Sequence, residues 1–229
     1  MKKRTFYSEA AYLLGILTIA LGVAFMEKAD FGVSMVVAPA YLLYLKLSET
    51  WSFITFGMME YVFQAALLLL MILLLRKFRL SYLFSFLTAV LYGFVLDGCM
   101  ALTGLLPGDT LPLRLLFYAA GMLLCSAGVA LMFHTYVSPE VYELFVKELA
   151  SARQWDVSRV KTFYDCTSCL LGVALSFAFF GLWHFEGVKL GTIFCALVNG
   201  WIIGKIGLLL DRRYEFKDAL PFRGFFLGK

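Results

Sequence analysis

Charge is scarce in this chain: Asp, Glu, Lys and Arg make up only 16 % of its 229 residues, where a soluble domain carries roughly 25 %. That excludes an ordinary water-facing surface. The 62 % of hydrophobic residues and a mean hydropathy of +0.83 show what stands in its place. Cysteine occurs only as Cys99, Cys125, Cys166, Cys169 and Cys195, all within apolar runs, which argues against a secreted disulfide framework. Histidine is limited to His134 and His184, isolated at the ends of apolar runs, so no metal site is expected. No Walker motif, nucleophile elbow, H-E-x-x-H or Rossmann glycine pattern occurs, so neither an enzyme nor a cofactor is indicated. No small-residue cleavage site closes the stretch after Met1-Lys2-Lys3-Arg4, and no cleavable signal is expected. The net charge of +4 comes from loop ends and gives no reason to expect nucleic acid.

What the chain has in abundance is long apolar sequence. A membrane-crossing helix needs about 20 mostly apolar residues, and six runs reach that length, near 9–26, 53–75, 81–105, 114–133, 162–183 and 188–210. Short polar segments separate most of them, including Arg76-Lys77-Phe78-Arg79, Pro107-Gly108-Asp109 and His184-Phe185-Glu186-Gly187. The expected class is an all-α membrane protein with six transmembrane helices in one integral membrane domain.

The chain also repeats itself. Leu21-Gly22-Val23-Ala24-Phe25-Met26 returns as Ala127-Gly128-Val129-Ala130-Leu131-Met132, and Gly15 returns as Gly121, all 106 residues later. Val33-Ser34 returns as Val137-Ser138 and Trp51 as Trp155 after 104. One offset with one small change is the trace of a duplicated unit, here residues 1–106 and 107–229. Orientation follows from lysine and arginine. With the N-terminus in the cytoplasm, fifteen of the 20 basic residues fall inside, and only Lys28, Lys46, Arg114 and Lys189 outside. Lys205 is left within the last span. Both termini are then cytoplasmic. Three spans per half is an odd number, so the second half enters from the opposite side, giving two inverted three-helix repeats.

The connectors 27–52 and 134–161 occupy the same place in each half. Residues 35–47 are apolar but too short to span, and residues 139–149 place Val141, Leu144, Phe145 and Leu149 along one face, with Glu140, Glu143 and Lys147 elsewhere. Each is expected to form a short amphipathic helix at the interface, or else a re-entrant half-helix. Ser138 before Pro139 has the form of an N-cap, with Ser34 in the matching place. Gly15 and Gly22, like Gly121 and Gly128, lie about two turns apart and mark close helix packing, with the first and fourth spans in symmetry-equivalent positions, against each other or against other helices.

Ionisable residues inside a span are costly, about 2.5–3.5 kcal/mol on insertion scales, and so are functional candidates. They are Glu60, Asp97, Asp165 and Lys205. Asp165 and Lys205, both on the inner side, either neutralise each other or leave Lys205 to snorkel toward the cytoplasm. Glu60 and Asp97, on the outer side, have no base in the spans to match them. Gln64 stands one turn from Glu60, and Tyr92-Gly93 matches Asn199-Gly200 at an offset of 107. The Cys166–Cys169 spacing lies in an apolar helix and reads as small hydrophobes. The candidate substrate or ion site is therefore Glu60, Gln64, Tyr92, Asp97, Asp165, Asn199 and Lys205.

Met26-Glu27-Lys28-Ala29-Asp30-Phe31-Gly32-Val33-Ser34, with Gly191-Thr192 ahead of Asn199-Gly200, resembles the "(M)xKADLGxSP" segment and last span of the YczE/YyaS/YitT family of bacterial membrane proteins. Met35 stands where that family often has proline, and Pro139 keeps it in the second copy. The resemblance implies a multi-pass protein of the bacterial inner membrane, with Asp30, Ser34 and Ser138 as secondary site candidates. Together these features lead us to expect a small secondary transporter of a polar or charged solute or ion, with proton coupling open. The alternatives are a substrate-binding subunit of a multi-component transporter, or a non-transporting accessory or scaffold protein. The lipid bilayer is its surroundings, and a homodimer is left open.

Overall fold

The computed structural model describes residues 3–107, 110–155, 157–182, 185–221 and 223. Lys2, Gly108, Asp109, His184 and Lys229 lie outside the described residues. The elements are β1 (Arg4–Tyr7), α1 (Ser8–Ala29), α2 (Ala38–Ser48), α3 (Phe56–Leu75), α4 (Ser81–Gly104), α5 (Leu111–Phe133), α6 (Val141–Arg153), α7 (Val157–Phe180), α8 (Leu190–Arg213) and β2 (Tyr214–Lys217). Six of the helices, all but α2 and α6, are long and apolar enough to cross a membrane. Their outer surfaces carry exposed Leu and Phe side chains such as Leu73, Phe94 and Leu197, as a multi-pass membrane protein requires.

The helix ends follow local chemistry. The Thr55 side chain accepts a hydrogen bond from the Met58 amide and so caps α3. Pro112 sits in the first turn of α5, where its missing N–H is not needed. Asp30, Arg76 and Gln154 end their helices in the left-handed conformation.

One departure from an all-helical chain is a two-stranded parallel ribbon in which Arg4 pairs with Tyr214 and Tyr7 with Lys217. The ribbon puts the start of α1 and the end of α8 on one face, here termed the ribbon face. The face holding Asp30 is the opposite one.

The α1–α5 contact matches the glycine pattern. A Cβ on Gly22 would meet the Gly121 carbonyl at 2.7 Å, and one on Gly128 would meet the Gly15 carbonyl at 2.8 Å. Gly15 faces Gly128 while Gly22 faces Gly121, so the helices run antiparallel with backbones nearly touching. Gly57 and Gly93 pack α3 onto α4 in the same way, where a Cβ on Gly93 would stand 2.7 Å from the Gly57 carbonyl. The corresponding pair α7 and α8 touch far less, and Gly200 and Gly204 have nothing within 4 Å of a Cβ position.

Each connector helix packs against both α3 and α7. Val141 at the start of α6 donates its amide to Gln64, midway along α3, while Glu148 accepts from Arg79 and Tyr82 at the ribbon face. The start of α2 is also deep. A Cβ on Gly172 of α7 would lie 3.5 Å from Ala38, whereas Lys46 stands over the Phe180 ring at the far end of α7. The N-cap of α6 is Glu140, not Ser138. The Ser138 hydroxyl instead donates to the Ser81 carbonyl at 3.4 Å, because Pro139 and the preceding turn bring it onto α4.

Candidate functional site

Two cavities share a wall, the smaller lined by residues from both ends of the chain and the larger by residues 130–211 alone. A small central chamber of about 40 Å³ is lined by Ser34 from the turn before α2, Tyr92 from α4, Cys125 from α5, Glu140, Tyr142 and Glu143 from the start of α6, Lys161 from α7 and Asn199 from α8. That volume holds a few waters or one small ion. A larger vestibule of about 560 Å³ runs from His134 and Asp211 near the ribbon face to Asp165 and Asn199. Glu143, Lys161, Asn199 and Ile203 line both.

Acids dominate the centre. Glu60 is fully buried and accepts a hydrogen bond from the Tyr142 hydroxyl at 2.9 Å, while its Oε1 has no partner among the described residues. Gln64, also fully buried, donates from Nε2 to Glu140 at 3.1 Å and accepts the Val141 amide at 3.0 Å. Gln64 thus uses both ends of its amide to hold the first residue of α6 and the acid before it. Burial pushes the Glu140 carboxyl well above the usual range, and the charges of Glu143 and Glu60 add to the rise. Burial also raises Glu143, with Lys161 opposing. Lys161 pairs with Asp165 one turn on, at 2.9 Å.

The predicted residues divide into two sets. Tyr92 and Asn199, matched by the repeat, line the same chamber. Asn199 accepts from the Ser126 hydroxyl at 2.6 Å, whereas the buried Tyr92 hydroxyl has no hydrogen-bond partner among the described residues. Glu60 and Gln64 stand behind the chamber wall, and Ser34 lines it. Asp165 lines the vestibule.

Asp97 does not join Glu60 as an unmatched outer acid. It accepts the Thr55 hydroxyl at 2.6 Å and the Gly57 amide at 2.8 Å, and so closes the first turn of α3, where free amides and the helix dipole favour a carboxylate. Lys205 does not pair with Asp165. It is exposed and stands 5.7 Å from the Trp201 ring, because Lys161 on Asp165's own helix already takes the carboxylate. His134 is not isolated either, since its Nε2 lies 3.1 Å from Asp211.

Asp30 and the residues after it tie α1, α5 and α8 together on the opposite face. Asp30 pairs with both Arg114 and Lys189, and Arg114 also donates to the Ala29 carbonyl at 2.8 Å. Gly32 takes φ +101, and its neighbours dock on α8: Gly191 N–H to Phe31 at 2.9 Å, and the Thr192 hydroxyl to Val33 at 2.8 Å. The 26–34 segment and Gly191-Thr192 therefore form one unit.

Sequence reasoning missed Glu140, Glu143 and Lys161 as site residues. Lys161 and Asp165 stand four apart on one helix, which was the readable signal. For Glu140 the signal was weaker, a buried Gln64 that needed partners. Among the described residues no group of three His, Cys, Asp or Glu is placed to hold a metal ion.

Helices that can cross a bilayer six times, enclosing a small chamber with Glu140, Glu143, Lys161 and Asn199 in an otherwise largely apolar wall, define a multi-pass α-helical membrane protein. Over residues 6–207 the chain matches the Family of unknown function (DUF6198), and it belongs to that family. Neither the comparison with curated proteins nor that with solved structures yields a match.

Proposed function

We propose that the protein is a small secondary transporter of the bacterial inner membrane, built from two inverted halves with both termini in the cytoplasm. The observation that carries this reading is the central chamber. Ser34 and Glu140, at the starts of the two connector segments, meet there with Tyr92 and Asn199, the pair matched by the repeat. The antiparallel α1–α5 contact and the matching seats of α2 and α6, each against both α3 and α7, support inversion. Deep helix starts support re-entrant connectors, with irregular backbone at membrane depth lining a cavity.

The ribbon face then carries the open vestibule, and the Asp30 pairs with Arg114 and Lys189 hold the other side shut. Alternating access would exchange these states by rocking one half on the glycine-lined α1–α5 seam. Glu60, held by Tyr142, and Glu140, held by Gln64, have no salt-bridge partner among the described residues and are suited to carry the coupling proton. The solute is a small polar or charged compound.

Reconstituted vesicles loaded with a pH-reporting dye test this. Pulses of amino acids, carboxylates and organic cations should include one that moves protons, and Glu140→Gln should abolish that movement. Vesicles that carry neither protons nor any solute of the panel would overturn the reading.

A further inference from the structure

The vestibule is poorly suited to a strongly hydrated solute. Its volume of about 560 Å³ is that of a drug-sized ligand site. Phe133, Val146, Ile203 and Leu208 give it apolar walls, and α8 contributes Gly200 and Gly204, each with open space where a side chain would stand. Because α7 and α8 touch so little, the gap beside these glycines faces the apolar exterior.

Charge stands at both ends, with His134, Lys147 and Asp211 toward the mouth and Glu143, Lys161 and Asp165 at the deep end. Lys161 there is already tied to Asp165, while Glu143 has no salt-bridge partner among the described residues. At the mouth, Lys147 stands 5.1 Å from the Phe133 ring, so one wall already receives a cation on its aromatic face. A net acidic pocket in a low-dielectric wall attracts a cation, and a cation shielded by apolar groups loses little hydration on entering.

We propose that the vestibule binds amphiphilic organic cations, with the charge toward Glu143 and the apolar body in the gap between α7 and α8. The proposal names the solute class of the transporter reading and rests on it for the pathway, but binding itself needs no transport.

Equilibrium dialysis of the full chain in lipid nanodiscs with radiolabelled tetraphenylphosphonium tests it. Saturable binding is expected, displaced by dodecyltrimethylammonium and not by dodecyl sulfate. Glu143→Gln should weaken it about tenfold, the scale of one lost charge contact in a partly wet site. Gly204→Leu, which fills open space and should not lower the melting temperature, should block it. Lys205→Gln should bind as the parent does. Absence of saturable binding, displacement by dodecyl sulfate alone, or binding unchanged in both the Glu143 and Gly204 variants would overturn the proposal. Proton movement driven by another solute in vesicles, with no tetraphenylphosphonium binding, would reject this ligand class and keep the transporter. Binding without any flux would do the reverse.

Discussion

Tyr142 on α6 donates a hydrogen bond to Glu60 on α3 across 82 residues of sequence, and both side chains are almost wholly buried. This bond ties a connector of the second half to a span of the first. Tyr142→Phe removes the donor and leaves Glu60 Oε2 as unsatisfied as Oε1 already is. We expect a loss of about 1–3 kcal/mol in reversible unfolding in mixed micelles. Adding Glu60→Gln should recover part of it, and full additivity of the two changes would count against the bond.

Glu140 makes stability depend on pH. Its carboxyl is raised in the folded chain by burial and by the neighbouring acids, so the native state keeps a proton that the unfolded state releases. Stability should therefore fall as pH rises from the usual carboxylate range upward. Glu140→Gln should flatten this slope in melting curves taken from pH 5 to pH 9. A variant as pH-sensitive as the parent would assign the effect to Glu143 instead, which is raised in the same direction.

Glycines on the two sides of the molecule should respond oppositely to a methyl group. Gly22→Ala puts a Cβ 2.7 Å from the Cys125 amide and the Gly121 carbonyl, so α1 and α5 must separate, at about 1–3 kcal/mol. Gly204→Ala meets nothing and gains helix propensity, up to about 1 kcal/mol. Melting temperatures of the two variants should move in opposite directions.

Lys161 and Lys205 should likewise separate. Lys161→Met strands Asp165, which is 9 % exposed, at about 2 kcal/mol, below the range for a fully dry pair because water reaches Lys161. Lys205→Gln should change stability by less than about 0.5 kcal/mol, as for other exposed sites. An equal cost for both would restore the Asp165–Lys205 pairing.

Much of the scaffold could be read before any coordinates. Apolar run length marks all six long helices, since nothing but a helix satisfies its own backbone over such a stretch. The paired glycines of α1 and α5 marked a close helix contact, because two positions seven apart on each helix leave one narrow seam. The site was read less well. Depth along a span located Glu60, Asp97 and Asp165, but depth is blind to partners. Asp97 was taken by the start of α3, and Asp165 by a lysine on its own helix. The polar face of α6 looked water-facing because an amphipathic pattern says that two faces differ, not which one is dry. Here Glu140 turns inward, onto Gln64.

The ribbon between β1 and β2 sets a timing condition on biosynthesis. Glu9 accepts the backbone amides of Ala219 and Leu220, and the Ser8 hydroxyl donates to Asp218, contacts that join points some 210 residues apart. At about 5–20 residues per second, the N-terminal strand waits on the order of 10–40 s for its mate. During that interval its edge is open to pairing with other strands. A ribosome stalled before residue 214 leaves that edge unpaired.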